Sequence, residues 1–221
     1  MTSARSVWLA AGVVATVVAI ASAGSWVWFL AARPQHLHSQ RQTASYTGRP
    51  DLVTVQLSAG NISIVEGSPG RIGVVRELEW SGGKPAIDEQ WNGRALTVKP
   101  DCPSGFTDSC TVNYTIAVPP GVALDLETDS GDITAAGSRS PQTQASSDSG
   151  NIWLSFTGAP DSVYASSDSG NVTITVPRGG GYAVHPQVDS GNSTVDILQD
   201  PASARSITAI SDDGNIAVRY N

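Results

Sequence analysis

Residues 148–156 read Asp-Ser-Gly-Asn-Ile-Trp-Leu-Ser-Phe, and the first five of these residue types recur along the chain. Copies of the five-residue phrase begin at 129, 148, 168, 189 and 212, and a weaker copy occupies 58–62. The glycines of the five strong copies are separated by 19, 20, 21 and 23 residues. A period near 20 residues is typical of a stacked-repeat architecture.

The residues that flank each copy alternate between apolar and polar types. After Gly150, the apolar residues Ile152, Leu154 and Phe156 enclose Trp153 and Ser155. This period of two predicts a strand with one buried face. Each repeat is therefore a strand, an Asp-Ser-Gly-Asn corner, a second strand and a looser return loop.

Two architectures accommodate such a unit. In a hairpin meander the corner reverses the chain and its two strands pair with each other. In a β-solenoid each strand pairs with its counterpart one repeat away, so that like residues stack at about 4.8 Å. A recurring corner sequence favours the solenoid, because it allows an asparagine ladder and a glycine with positive φ at every corner. The predicted ladder consists of Asn151, Asn171, Asn192 and Asn215.

The fold prediction is an all-β β-solenoid of about 20 residues per coil behind a single N-terminal transmembrane helix. The final strand, Ile216 to Tyr220, is expected to be an open edge of the solenoid. Residues 51–120 show longer strand-like runs and larger loops, and we expect them to begin the same sheet system, with room for antiparallel pairs.

The N-terminal segment is long and apolar enough to cross a bilayer. Ser6 to Ala32 carries no charge, and Trp8, Trp26 and Trp28 stand near its two ends, as expected at the membrane interfaces. We predict a short tail over 1–6 and a signal anchor over 7–32. The alternative is a signal peptide cleaved near Ala23, which would release a secreted protein. Small residues at every fourth position could support helix association: Ala11, Ala15, Ala19 and Ala23.

Residues 33–50 are polar and lack apolar periodicity, so we predict a flexible polar linker followed by a folded domain over 51–221. Cys102 and Cys110 flank a turn-rich stretch and are expected to form a disulfide, which indicates an oxidising compartment. Two unrelated reduced thiols are the alternative. Arg33 and Arg41 after the span mildly favour the opposite orientation, but that rule weakens before a long domain. We predict a single-pass cell-membrane protein with its C-terminal domain outside the cytoplasm.

Composition excludes several function classes. The 221 residues carry a formal net charge of −7. The acidity lies in the repeats, and a strongly acidic chain is a poor candidate for nucleic-acid binding. The sequence contains no nucleophile elbow, phosphate-binding loop or clustered metal ligands. We therefore predict a protein that is not an enzyme, and a polysaccharide-acting enzyme is the least favoured hypothesis.

The repeated Ser-Gly-Asn/Asp-Ile/Val units, together with the run Thr115 to Val122 and its two prolines, carry a resemblance to a known family. They resemble the bacterial β-strand-repeat domain of unknown function named "putative adhesin", and are similar to head GIN-type adhesin domains. The resemblance covers residues 51–221 and implies an envelope-exposed solenoid, often membrane-anchored. It supplies no catalytic residue.

Two features are candidate sites. Stacked coils would place five carboxylates in a column at the corners, where calcium could offset their repulsion, although aspartate is also a common turn residue: Asp129, Asp148, Asp168, Asp189 and Asp212. Trp153 belongs to the outward set of its strand and is a candidate surface contact for a sugar ring. No other cofactor is expected.

The function hypothesis is a non-catalytic, membrane-anchored adhesin or envelope-binding module with a glycan or protein partner. The alternative is a structural or regulatory subunit of a membrane complex of the envelope-stress type.

Overall fold

The computed structural model describes residues 37–103 and 109–221, and within them it contains seventeen β-strands and no helix. The strands are β1 (His38–Thr47), β2 (Leu52–Ala59), β3 (Ile62–Glu66), β4 (Arg71–Trp80), β5 (Glu89–Trp91), β6 (Ala95–Val98), β7 (Cys110–Val118), β8 (Ala123–Ser130), β9 (Ile133–Ser138), β10 (Gln142–Ser149), β11 (Ile152–Phe156), β12 (Ser162–Ser169), β13 (Val172–Val176), β14 (Ala183–Ser190), β15 (Ser193–Asp196), β16 (Ser206–Asp213) and β17 (Ile216–Tyr220).

The predicted span over 7–32 lies outside the described residues, together with its interfacial tryptophans and its alanine stripe. Among the residues that are described, no helix has the length and apolar character needed to span a bilayer.

The strands form two sheets that face each other across one core. Sheet A has nine strands in the order β1-β4-β7-β3-β9-β11-β13-β17-β15, and sheet B has eight in the order β14-β16-β12-β10-β8-β2-β6-β5. Each repeat gives its first strand to sheet B and its second strand to sheet A. The two strands of a repeat do not pair with each other.

Pairing between successive repeats is parallel and in register. Ala145 of β10 lies opposite Ala165 of β12, and Ile152 of β11 lies opposite Val172 of β13, each one repeat apart. Each corner therefore turns the chain from one sheet to the other without closing a hairpin. The solenoid-like stacking of the repeats is confirmed.

The core lies between the two sheets, as the period-two pattern predicts. Inward side chains such as Leu126, Ile152, Ile174 and Ile207 are almost completely buried. Burial of one such side chain contributes roughly 1.5–3 kcal/mol. Because the same positions repeat in every coil, the core is a continuous column of small and branched aliphatic residues.

The last two coils stack in the reverse of their chain order. The coil of β16 and β17 lies between that of β12 and β13 and that of β14 and β15, in both sheets. The prediction that Ile216 to Tyr220 forms an open edge is therefore wrong: β17 pairs with β13 and with β15. The edge strands at this end are β14 and β15.

A proline explains why the coil of β14 and β15 stands at the end. Ala183 donates its N–H to Arg205 on the β16 side, so in a parallel ladder the backbone nitrogen of Pro186 faces the free edge. Proline has no N–H to donate and is tolerated in a strand at such an edge. In the same coil, Val188 stands where the coils of β8, β10, β12 and β16 have serine or threonine.

The N-terminal part joins the same stack by both kinds of pairing. The coil of β2 and β3 lies next to that of β8 and β9, so the weak copy at 58–62 stacks directly on the copy at 129–133. Beyond it, β6 and β7 pair in parallel with β2 and β3. The outermost pairs, of β4 with β7, β1 with β4 and β5 with β6, are antiparallel.

The structure differs from the predicted polar linker over 33–50, because His38–Thr47 forms the ten-residue strand β1. Its inward residues include Gln42 and Tyr46, which meet polar partners on β4 and β5. A strand whose buried face is partly polar lacks the apolar alternation that sequence analysis relies on.

Candidate functional site

The glycine of each corner lies against the corner of the adjacent coil. A Cβ added to Gly150 would overlap with the carbonyl oxygen of Gly131, and one added to Gly170 would overlap with that of Gly150. The sequence prediction that every corner glycine needs a positive φ is wrong. Gly131 and Gly191 have φ of 153° and 141°, whereas the φ angles of Gly150, Gly170 and Gly214 are not positive. The shared requirement is the close approach of two backbones.

At four corners, those of Gly131, Gly150, Gly170 and Gly214, a buried hydroxyl three residues before the glycine fixes this approach. Ser147 donates to the carbonyl of Gly131 over 3.0 Å, Ser167 to that of Gly150 over 2.8 Å, and Ser211 to that of Gly170 over 2.9 Å. Thr128 donates in the same way to Gly60, over 3.0 Å. Sequence analysis missed this inner ladder, although a Ser or Thr before four of the five corner aspartates was visible.

The asparagines form the predicted ladder on the outside of the corner. Each side-chain oxygen accepts the backbone N–H of the ladder residue in the next coil. The distance from Asn171 N to Asn151 Oδ1 is 3.0 Å, and that from Asn215 N to Asn171 Oδ1 is 2.9 Å. The ladder is longer than predicted, and the reversed coil order places Asn215 before Asn192. Its members are Asn113, Asn61, Asp132, Asn151, Asn171, Asn215 and Asn192.

The five predicted corner carboxylates lie side by side and are exposed. The register places Asp148 between Asp129 and Asp168, and Asp212 between Asp168 and Asp189. In the described part of the chain, no group of three or more His, Cys, Asp or Glu side chains is arranged to hold a metal ion. The arrangement is thus an acidic column along one edge of the stack.

Trp153 lies at the centre of the outer face of sheet A and is 40% exposed. It belongs to an outward row that crosses all nine strands, which we call the central row: Thr43, Val75, Thr115, Ser63, Thr134, Trp153, Thr173, Ala217 and Thr194. No member carries a charge. At about 4.8 Å per strand the row is about 38 Å long.

The outer face of sheet B is acidic by comparison. Asp125, Glu127 and Asp129 project from β8 alone, and the corner aspartates continue along the same side. Burial, and then the charge of Glu127, raise the pKa of Asp125. Tyr164 is the large aromatic residue on this face and is 37% exposed, nearly as much as Trp153.

A polar cluster is buried at the N-terminal end of the stack, between β1, β4 and β5. Arg76 pairs with Glu89, and their side chains are only 15% and 4% exposed. Tyr46 donates its hydroxyl to Glu89, and Arg76 donates to Gln42 over 2.9 Å. Burial, and then the bond to Glu89, raise the pKa of Tyr46 to about 12.

Cys102 and Cys110 form the predicted disulfide, with Cα atoms 5.9 Å apart. It closes the connection between β6 and β7.

Taken together, parallel coils, two facing sheets and a recurring corner sequence define a solenoid-like β-repeat domain with two broad outer sheet faces. Residues 122–219 match the family model Toastrack DUF4097, which describes a domain of unknown function. This confirms the resemblance to adhesin-type β-strand repeats.

Two solved structures are similar to this chain to different degrees. A putative cell adhesion protein from Clostridium sporogenes ATCC 15579 has 12% identity and a TM-score of 0.64, covering 83% of this chain and all of its own. A putative adhesin from Bacteroides fragilis NCTC 9343 has 13% identity and a TM-score of 0.37, covering 82% of this chain and 97% of its own. The first likeness supports the fold, and the second carries no argument. None of the curated proteins matches this sequence.

Proposed function

We propose that this protein is a membrane-anchored, extracytoplasmic binding module of the adhesin type, with no catalytic activity of its own. The observation that carries the proposal is the stack itself, which holds a wide sheet face with an exposed aromatic residue at its centre. Backbone pairing fixes every position of that face, so binding would order few side chains and lose little entropy.

The proposed location rests on two features. The uncharged segment over 7–32 is long enough to cross a bilayer, and the Cys102–Cys110 disulfide is of a kind that persists in oxidising compartments. Strand β1 begins at His38, so only a few residues separate the proposed span from the folded domain. The folded domain would be the same in a protein that is released after cleavage near Ala23.

A thiol-labelling experiment tests the location. Intact cells that produce the protein are treated with a membrane-permeable alkylating reagent, with and without prior reduction. We expect Cys102 and Cys110 to be labelled only after reductant is added. Labelling without reductant would place the domain in a reducing compartment and would overturn the proposed orientation.

A sedimentation experiment tests the binding function. Full-length protein in detergent micelles is incubated with isolated cell envelopes, and the bound fraction is measured after centrifugation. Saturable binding is expected. If the protein instead remains in the supernatant but co-purifies with one membrane protein in stoichiometric amount, the role of a subunit in a membrane complex replaces the adhesin function.

A further inference from the structure

We propose that the outer face of sheet A around Trp153 binds a neutral polysaccharide chain. This inference rests on the proposed binding function and names its surface and the chemical class of its ligand. Trp153 supplies the flat apolar platform on which a sugar ring stacks, and its neighbours supply uncharged hydrogen-bonding groups.

The immediate neighbours of Trp153 are short and polar. Thr134 and Thr173 lie on either side of it in the central row, on β9 and β13. Their side chains are too short to cover the indole ring, which leaves it accessible from above. The side chain of Trp153 is therefore 40% exposed on this face.

The asparagine ladder borders the central row on the same face, because each ladder residue precedes a row residue by two positions. Asn151 and Asn171 accept and donate within the ladder, which fixes the orientation of both amides. Each amide nitrogen has two hydrogens, and the ladder uses one of them. Oriented amides beside an aromatic platform match the hydroxyl groups and the apolar ring face of a sugar.

Charge indicates that the polysaccharide is neutral. Three rows of outward residues cross the five central strands of sheet A: the ladder, the central row and the next row beyond it. Together they contain one charged residue, Asp132. The whole chain, by contrast, has a formal net charge of −7. The acidic column and the outer face of sheet B would repel an anionic polymer, and no basic patch on sheet A attracts one. A neutral polysaccharide is not repelled by these carboxylates and needs no basic patch to bind.

The test compares two exposed aromatic residues on opposite sheets. Trp153→Ala removes the platform, and Tyr164→Ala is the matched control, because the two residues are 40% and 37% exposed. A second pair leaves both aromatics in place: Thr173→Glu sets a carboxylate beside Trp153, and Gln144→Glu sets one beside Tyr164. Full-length proteins in detergent micelles are sedimented with an insoluble neutral β-glucan, with insoluble polygalacturonate as the anionic probe, and with cell envelopes.

We expect the unaltered protein to bind the neutral β-glucan and not polygalacturonate. Trp153→Ala should weaken binding to the glucan and to envelopes at least tenfold, and Thr173→Glu at least fivefold. Both control variants should remain within twofold of the unaltered protein. Circular dichroism melting curves establish that all four variants are folded.

Other outcomes separate this inference from the function on which it rests. If envelopes bind the unaltered protein and Trp153→Ala equally well, the surface is wrong and the binding function stands. Stronger binding to polygalacturonate than to the glucan overturns the ligand class. If envelopes bind none of the proteins, the binding function itself fails.

Discussion

The two ends of the molecule are held together by different means. From β8 to β17 the coils are similar, and each is joined to the next by parallel backbone pairing and by the asparagine ladder. The inner hydroxyl ladder adds a second side-chain contact at all of these corners except that of β14 and β15. From β1 to β7 the stack is finished by antiparallel strands, a buried Arg76–Glu89 pair and a disulfide. The repeated part relies on many small equivalent contacts, and the N-terminal part on a few strong ones.

This difference has a consequence for mutation. A defect at one corner of the repeated part acts on two neighbouring coils, because each coil has only its neighbours to bind. A defect in the N-terminal cluster acts on β1, β4 and β5 and leaves the distant corners unaltered. Local measurements should therefore separate the two parts.

The largest effect is expected from Gly150→Ala. The new methyl group would overlap with the Gly131 carbonyl, and neither backbone can withdraw without breaking both ladders. We expect the free energy of unfolding to fall by more than about 4 kcal/mol, or the protein to accumulate as aggregate. Urea unfolding followed by circular dichroism measures the change.

Gly73→Ala provides the control, because its methyl group would stand 3.5 Å from the Ala117 Cβ, an ordinary contact. This variant should be as stable as the unaltered protein within about 1 kcal/mol. Equal losses in the two variants would show that close approach at the corner is not the cause.

The next largest effect is expected in the N-terminal part, from Glu89→Gln. The substitution leaves Arg76 charged, buried and without its carboxylate partner, which should cost about 3 kcal/mol. Asp51→Asn, which removes a partner from the exposed Arg94–Asp51 pair, should cost less than about 1 kcal/mol. Hydrogen exchange should show faster exchange in β1, with β11 and β13 unaffected; uniform acceleration would remove the distinction between the two parts.

A smaller effect is expected from Ser167→Ala in the inner ladder. The Gly150 carbonyl would lose the hydroxyl that donates to it over 2.8 Å, at a cost of about 1 kcal/mol. The adjacent Ser166 faces outward, so Ser166→Ala should change the thermal midpoint much less. If both substitutions have the same effect, the inner ladder contributes no more than a surface hydroxyl does.

The last prediction concerns alkaline pH, at which the N-terminal part should lose stability through the ionisation of two tyrosines. The folded pKa of Tyr46 is about 12, above its ordinary value of 10.0, and burial raises the pKa of Tyr114 as well. A group with a raised pKa stabilises the fold fully below its unfolded pKa, and that stabilisation is lost as the pH rises through the folded pKa. The thermal midpoint should therefore fall between pH 10 and pH 12.

Tyr46→Phe should make this fall less steep, whereas Tyr164→Phe on the exposed face should leave it unchanged. Melting curves at half-unit intervals of pH measure the slope. An identical slope in Tyr46→Phe would show that ionisation at this cluster is not responsible.

The repeated part could be predicted from sequence because one local phrase carries both the corner and the stacking register. Trp153 was correctly placed on an outward face. The order of the last two coils could not be predicted from the period alone. It depends on Pro186, which suits a strand with a free side, and this effect becomes clear only once the neighbours are known.

The N-terminal part was harder to predict, for a physical reason. The inward face of strand β1 includes the polar residues Gln42 and Tyr46. Their partners, Arg76 and Glu89, are more than thirty residues away along the chain. Pattern analysis recognises apolar burial and cannot recognise burial that is satisfied by distant polar partners. The inner serine ladder was overlooked because a serine beside an exposed corner reads as a solvated turn.

The reversed order of the last two coils bears on how the chain is made. Synthesis delivers β14 and β15 before β16 and β17, yet β16 and β17 occupy the inner position. In a chain that has been synthesised only to about residue 200, β14 and β15 therefore lack the two strands with which they pair. The coil of β14 and β15 can take its final place only after the whole repeat region has been made.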